Sequence, residues 1–358
     1  MTLMGAFFCF NFPCFLQGSE KDNSPEVDFY NWYLEGTKLN AEQVEPLQKR
    51  LAKDPEDMKA RVEIMSYFSH SHPESVYSDT KTRKSLKENL AWVIRNHPDS
   101  QAAGFDAFSS PFSIRTVKPD DYDELKDLWI QQTKKFSNSV NVLANASNFF
   151  MFEDEKRSEA LLKAAMKLEP KNPKWPDELA HLLDLSDIKA KKENGKDSQS
   201  SDALKYEEQS ASQENNEINR FYKLSDLAKY AFESRDYGKT KAYAEELLKL
   251  ALKYKKNWNY GNAIFHGNYY LGSLSFEEGK LDMACHYLLE AAKTPGSPQL
   301  NSFGPDIELA RQLLGKGKKE EVLTYLKSCQ VFWKMGQDKL RNWIGEIEKT
   351  GTSTFKKY

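Results

Sequence analysis

Apolar residues recur along most of this chain at intervals of three and four, the spacing that lays them on one side of a helix. The clearest stretch is HGNYYLGSLSFEEGKLDMACHYLLEAAKTPG. Its first half carries Leu271 and Gly272, its second Ala284, Leu288 and Ala291, with Gly279 and Leu281 at the turn between them. Large and small residues at these offsets predict two antiparallel helices whose backbones come close at the small positions. Three other stretches keep the register. Val142, Ala146, Phe149, Ser158, Leu162 and Ala165 lead to Pro170. Leu224, Leu227, Ala228 and Ala231 precede a turn at Asp236-Tyr237, followed by Thr240, Ala244 and Leu247. Leu309, Ala310, Leu313, Gly317, Val322, Leu326 and Cys329 form a later pair.

A two-helix unit repeating at about 34 residues is the pattern of the tetratricopeptide (TPR) repeat. The expected fold is therefore all-α, a TPR-like helical-repeat superhelix (an alpha-alpha solenoid). The N-terminal third is looser. There Leu86, Leu90 and Val93 keep the register before Pro98, and Tyr122 to Phe136 predicts a helix with Leu125, Leu128 and Trp129 on one face. Near the end, Trp333, Leu340, Trp343 and Ile347 share a face, as required of a terminal helix covering the last apolar surface of an array. Residues 190–219 read AKKENGKDSQSSDALKYEEQSASQENNEIN, too polar to offset the entropy of ordering, and predict a flexible linker. The expected organisation is residues 25–189 as N-terminal TPR-like repeats, 190–219 as linker, 220–350 as C-terminal repeats with a capping helix, and 351–358 as a frayed tail. No stretch alternates with period two over strand length.

Composition fits exposed helices around a packed interior. Of 358 residues, 29% are charged and 13% aromatic, and the mean hydropathy is -0.72. Aromatic content that high argues against disorder. The net charge of -2 leaves no basic excess for nucleic acid. Residues 1–24 hold an apolar run, MTLMGAFFCFNFPCFLQG, as long as a signal-peptide core and too short to span a bilayer. No Lys or Arg precedes it and no A-x-A site follows it, so it reads either as an export signal or as a disordered N-terminus. Export to the periplasm or envelope and residence in the cytoplasm both stay open. Cys9 and Cys14 lie in that run, and Cys285 and Cys329 stand where a repeat wants a small buried residue. No spacing among them suits zinc.

The runs WNYGNAIFHGNYYLG, TPGSPQLNSFGPDIELARQLL, VLTYLKSCQVFW and NASNFFMFEDEKRSEALLKAAMKLEPKNPKW resemble a set of bacterial TPR-containing proteins of unassigned activity. The resemblance covers most of the chain outside the first 25 residues and the linker. It implies repeat architecture and bacterial origin, and it supplies no catalytic residue.

In a TPR array the concave surface is lined by first-helix side chains. The register places Tyr222, Ser225, Lys229, Phe232 and Glu233 there, then His266, Tyr269, Ser273, Phe276 and Glu277, then Ile307 and Arg311. Lys229 and Arg311 flanking His266 and two tyrosines suit a peptide carboxylate, with aromatic faces for an apolar side chain. Asn259, Asn262, His266 and Asn268 admit two readings: a ligand site, or capping and hydrogen bonding to the long loop Thr294–Pro305. That loop is expected to be a structured connection. His70, His72 and Asp79 make a poor metal set, because a His-x-His at a helix end points its rings apart. IRTVKPDDYDELKDLW resembles the opening of an acetyltransferase domain, but helices follow where strands are needed. No catalytic motif or cofactor fingerprint is present. The expected function is a scaffold that binds a protein or peptide. An envelope assembly factor using other surfaces, or an all-helical enzyme, are the alternatives.

Overall fold

A computed structural model describes residues 25–71, 80–109, 119–194 and 201–355. The apolar N-terminal run with Cys9 and Cys14, the pair His72 and Asp79, residues 195–200 and the last three residues lie outside that set. The described residues are helical, with no strand among them. None of their helices is long and apolar enough to cross a membrane.

The chain divides into two compact units at Leu182/Leu183. The first contains α1 (Pro25–Thr37), α2 (Ala41–Lys53), α3 (Met58–Ser66, continued by a π turn Tyr67–Ser71) and α4 (Thr80–Asn96). Short helices α5 (Gln101–Gly104) and α6 (Asp106–Ser109) follow, then α7 (Pro119–Lys135), α8 (Val140–Phe150) and α9 (Glu155–Leu168). The division falls inside α10 (Lys174–Asn194). Side chains supply the helix starts: Asn40, Asp57, Ser139 and Asp154 each accept from a backbone N–H of the first turn. The predicted Leu125, Leu128 and Trp129 face is buried against Leu86, Leu90 and Phe149. Ser147 and Ser158 meet across the α8/α9 contact with their hydroxyls 2.7 Å apart, so the small positions there are closed by a hydrogen bond.

The second unit continues with α11 (Ser201–Gln213), α12 (Glu217–Glu233), α13 (Tyr237–Lys253), α14 (Tyr260–Glu277) and α15 (Leu281–Ala291). It ends with α16 (Pro298–Phe303), α17 (Glu308–Gly315), α18 (Lys319–Cys329), a 3-10 turn Lys334–Gly336 and α19 (Gln337–Thr350). Each helix from α12 to α15 packs on the next, and α12 also touches α14, as α14 touches α17 and α15 touches α18. The residues that carried the repeat register within the helices (Leu224, Leu227, Ala228, Ala231, Thr240, Ala244 and Leu247, then Ala284, Leu288 and Ala291, then Leu309, Ala310, Leu313, Val322, Leu326 and Cys329) are all buried. A Cβ on Gly272 would lie 2.7 Å from Leu309 Cδ2, which is the close approach expected there.

Three hairpins close with the same turn. Arg235, Gly279 and Gly317 take φ of 59°, 75° and 81° between α12 and α13, α14 and α15, and α17 and α18. In each, the next residue's N–H reaches back across the turn: Asp236 to Ala231 O, Lys280 to Ser275 O, Lys318 to Leu313 O. That long backward bond with a left-handed residue inside it is the Schellman arrangement, which satisfies the orphan carbonyls of a helix end.

The stretch expected to be a linker is different. It contains α11, with Ala203, Leu204, Glu207, Ser210 and Ala211 buried. Counting large apolar side chains missed this helix because its buried stripe holds one large apolar residue, Leu204, among small or polar ones spaced at four and seven. The tail is also shorter than expected: Ser353 Oγ donates to Glu346 at 2.6 Å and the Phe355 ring packs on Trp343. Nearby, the Trp333 indole is clamped by Gly304 and Gly336, at both of which a Cβ would fall within 2.5 Å of its ring. Its Nε1 is buried with no hydrogen bond.

Candidate functional site

Tyr222, Asp226, Lys229 and Glu233 are spaced four, three and four along α12 and so share a side of it. The opposite side, with Phe221, Leu224, Leu227 and Ala228, is core. Asn216 fixes the start of this helix by accepting from Ile218 N at 3.0 Å. On α14, His266 and Tyr270 hold the equivalent four-residue step, with rings 6.4 Å apart and nearly parallel. Tyr270 lies 6.2 Å from Phe232 of α12, which joins the two helix faces through aromatic contact.

Carboxylates dominate this face. Lys229 Nζ donates to both oxygens of Asp184, at 2.7 and 2.6 Å. Burial presses the ammonium down, but Asp184, Glu233 and Asp226 outweigh it and raise the group above its usual range. Glu233 accepts no hydrogen bond, and its tip meets solvent inside a surround of protein. Desolvation by that surround pushes its carboxyl up to about 7, with Asp184 and Asp187 adding to the shift against Lys229. Asp306, at the entry to α17, faces the Tyr269 hydroxyl and the Tyr270 ring. Burial lowers the His266 imidazole against the pull of Asp226 and Asp306, so it is neutral at pH 7.

The residues expected on this face divide into groups. Lys229, His266 and Glu233 are on it, and Ser225 beside them has its Oγ buried without a hydrogen bond. Tyr222 is engaged locally, its hydroxyl accepting from Asn257 Nδ2 at 2.8 Å and its ring lying 5.4 Å from Trp258. Tyr269 and Ser273 are buried, and Ser273 Oγ bonds back to the Tyr269 carbonyl at 2.9 Å. Arg311 is exposed and its guanidinium is forked onto Glu308, at 2.9 and 2.5 Å. The expected capture of a carboxylate by Lys229 and Arg311 is therefore corrected: each cation already holds one.

Sequence reasoning missed Asp184, Tyr270, Asp226 and Asp306. Asp184 stands far off in the chain, and Tyr270 is one step from the register position given to Tyr269. Asp226, four residues before Tyr230 and three before Lys229, was legible from helical spacing alone.

The asparagine group serves the long loop. Asn262 Nδ2 donates to Asn259 Oδ1 at 2.9 Å and to Gln299 Oε1 at 3.2 Å, and Ser297 Oγ donates to Asn262 Oδ1 at 2.5 Å. Thr294 Oγ1 donates to the Gly261 carbonyl at 2.7 Å. The loop thus sits directly on the start of α14, where a Cβ on Gly261 would be 1.8 Å from Gly296 O. His266 is not part of this network, and Asn268 bonds to its own helix at Ile264 O. Cys285 and Cys329 are free and buried, and burial pushes the Cys329 thiol up to about 12, which leaves it unreactive at neutral pH.

No protein-family model matches the chain, and no curated protein shows significant similarity to it.

Proposed function

We propose that the chain is a TPR-like helical-repeat protein, akin to the bacterial TPR-containing proteins its sequence resembles, and that it binds an extended protein or peptide segment. The contact surface is the concave face formed by α12 and α14. The architecture is supported by the same Schellman turn closing successive hairpins and by burial of the apolar and small helix positions of the repeat register, among them Leu224, Ala228, Ala244, Ala284, Leu288 and Leu313. One observation carries the binding role. Ser225 Oγ is buried without a hydrogen bond, and the Tyr270 hydroxyl and the His266 ring near it make none among the described residues. Polar groups held partly out of water and left unpaired are costly, by about 1–3 kcal/mol each, and a bound backbone or side chain relieves that cost. Rigid helices present these groups already oriented, so binding spends little on ordering them.

The test is binding of the full chain to an array of extended peptides, compared with His266→Ala on the face and Lys280→Ala at the exposed α14/α15 turn. The face variant is expected to lose roughly tenfold in affinity while the turn variant stays unchanged. Equal binding by both would move the function to another surface. Phe303, Val331 and Met335, apolar and 42%, 68% and 72% exposed around the α16 contact with the 3-10 turn, favour the assembly-factor reading as the second choice.

A further inference from the structure

Resting on the binding role just proposed, we infer that the segment held on the α12/α14 face is cationic, presenting lysine or arginine side chains to Glu233 and Asp306. Charge complementarity is the first ground. Asp184, Asp226, Glu233 and Asp306 converge here from three parts of the unit, and Asp187 stands behind them. Opposing them are Lys229, already clasped by Asp184, and Lys191. The face therefore has carboxylate in excess of ammonium. Such an arrangement repels acidic segments and attracts basic ones.

The second ground is independent of charge. Tyr270 is 8% exposed, yet its hydroxyl makes no hydrogen bond among the described residues, and the carboxylates of Glu233, Asp306 and Asp226 act on it electrostatically. Glu233 likewise accepts no hydrogen bond among the described residues, while Asp306 accepts from Glu308 N at 2.8 Å and from the Tyr269 hydroxyl and keeps part of its acceptor capacity. A phenol and carboxylates with open acceptor sites fit a donor-only group such as ammonium or guanidinium. The Tyr270, His266 and Phe232 rings beside them offer apolar or cation–π contact to the stem of the same side chain. A bound cation also favours the ionised form of Glu233, which the protein alone disfavours.

Three fluorescein-labelled peptides of equal length, carrying spaced lysine and arginine, spaced glutamate, or only serine and glycine, separate the cases by anisotropy with the full chain. The basic peptide is expected to bind about tenfold or more tighter than the acidic one. Glu233→Gln with Asp306→Asn should weaken it by roughly fivefold, and Tyr270→Phe by about threefold. Circular dichroism and melting curves confirm that these conservative variants are folded. Basic-peptide binding untouched by either variant would overturn the inference, as it would then reflect attraction elsewhere on the chain. Tighter binding of the acidic or neutral peptide, weakened by His266→Ala, would also overturn it while leaving the α12/α14 binding role intact. No binding of any of the three would overturn both.

Discussion

Arg235 holds the left-handed conformation that Gly279 and Gly317 hold at the equivalent turns. A residue with a Cβ pays roughly 1–2 kcal/mol to sit there, whereas glycine adopts it freely and costs more only in the unfolded chain. Arg235→Gly should therefore stabilise the protein by about 0.5–1 kcal/mol and raise Tm by about 1–4 °C. A lowered Tm would mean that the Arg235 side chain has a role the backbone does not reveal. Single residues also explain why the candidate site was only partly legible. The α12 positions follow from helical spacing, but which of Tyr269 and Tyr270 faces outward depends on how α14 is rotated about its axis. One step of sequence turns a side chain by about a quarter of a turn, enough to exchange core for surface.

Among the elements, α14 is pinned hardest. Its first turn is crossed by the loop after α15, with Gly261 against Gly296 and side-chain bonds from Asn262 and Thr294 securing the crossing. Gly261→Ala would drive a methyl group into a carbonyl oxygen that cannot swing aside, and is expected to cost about 1–3 kcal/mol by overpacking. Gly345→Ala gives the opposite sign. It lies within α19 with open space around it, so better helix propensity should add roughly 0.5–1 kcal/mol. Urea midpoints of the two variants check both values. Helices with large apolar stripes, such as α7, α8, α12 and α15, were readable from the sequence because burial of those side chains dominates their stability. Helix α11 was not, since Ala203, Ser210 and Ala211 bury without raising local hydropathy.

At the scale of the molecule, each compact unit owns its apolar interior. The cluster from Ala228 to Phe355 closes within the second unit, and the cluster from Phe29 to Phe150 within the first. A fragment spanning residues 183–355 is therefore expected to unfold in one cooperative transition by urea, with helical circular dichroism close to its share of the whole. A broad, non-cooperative transition would show that the second unit depends on the first. Sequence periodicity predicted two segments of repeats and placed the break between them in the polar stretch, but low hydropathy marks a boundary only where nothing packs. The division instead falls inside a continuous helix, which no compositional change announces.

The indole between Gly304 and Gly336 has an optical consequence. Trp333, and Trp129 in the first unit, are both buried with Nε1 bonded to nothing among the described residues. An indole shielded from water and free of hydrogen bonds emits at the blue end of the tryptophan range and shifts red when its surroundings open. Each unit thus carries its own internal lamp: with Trp32, Trp92, Trp175, Trp258 and Trp343 replaced by phenylalanine, removing one of the remaining two leaves the other to report the melting of its half alone.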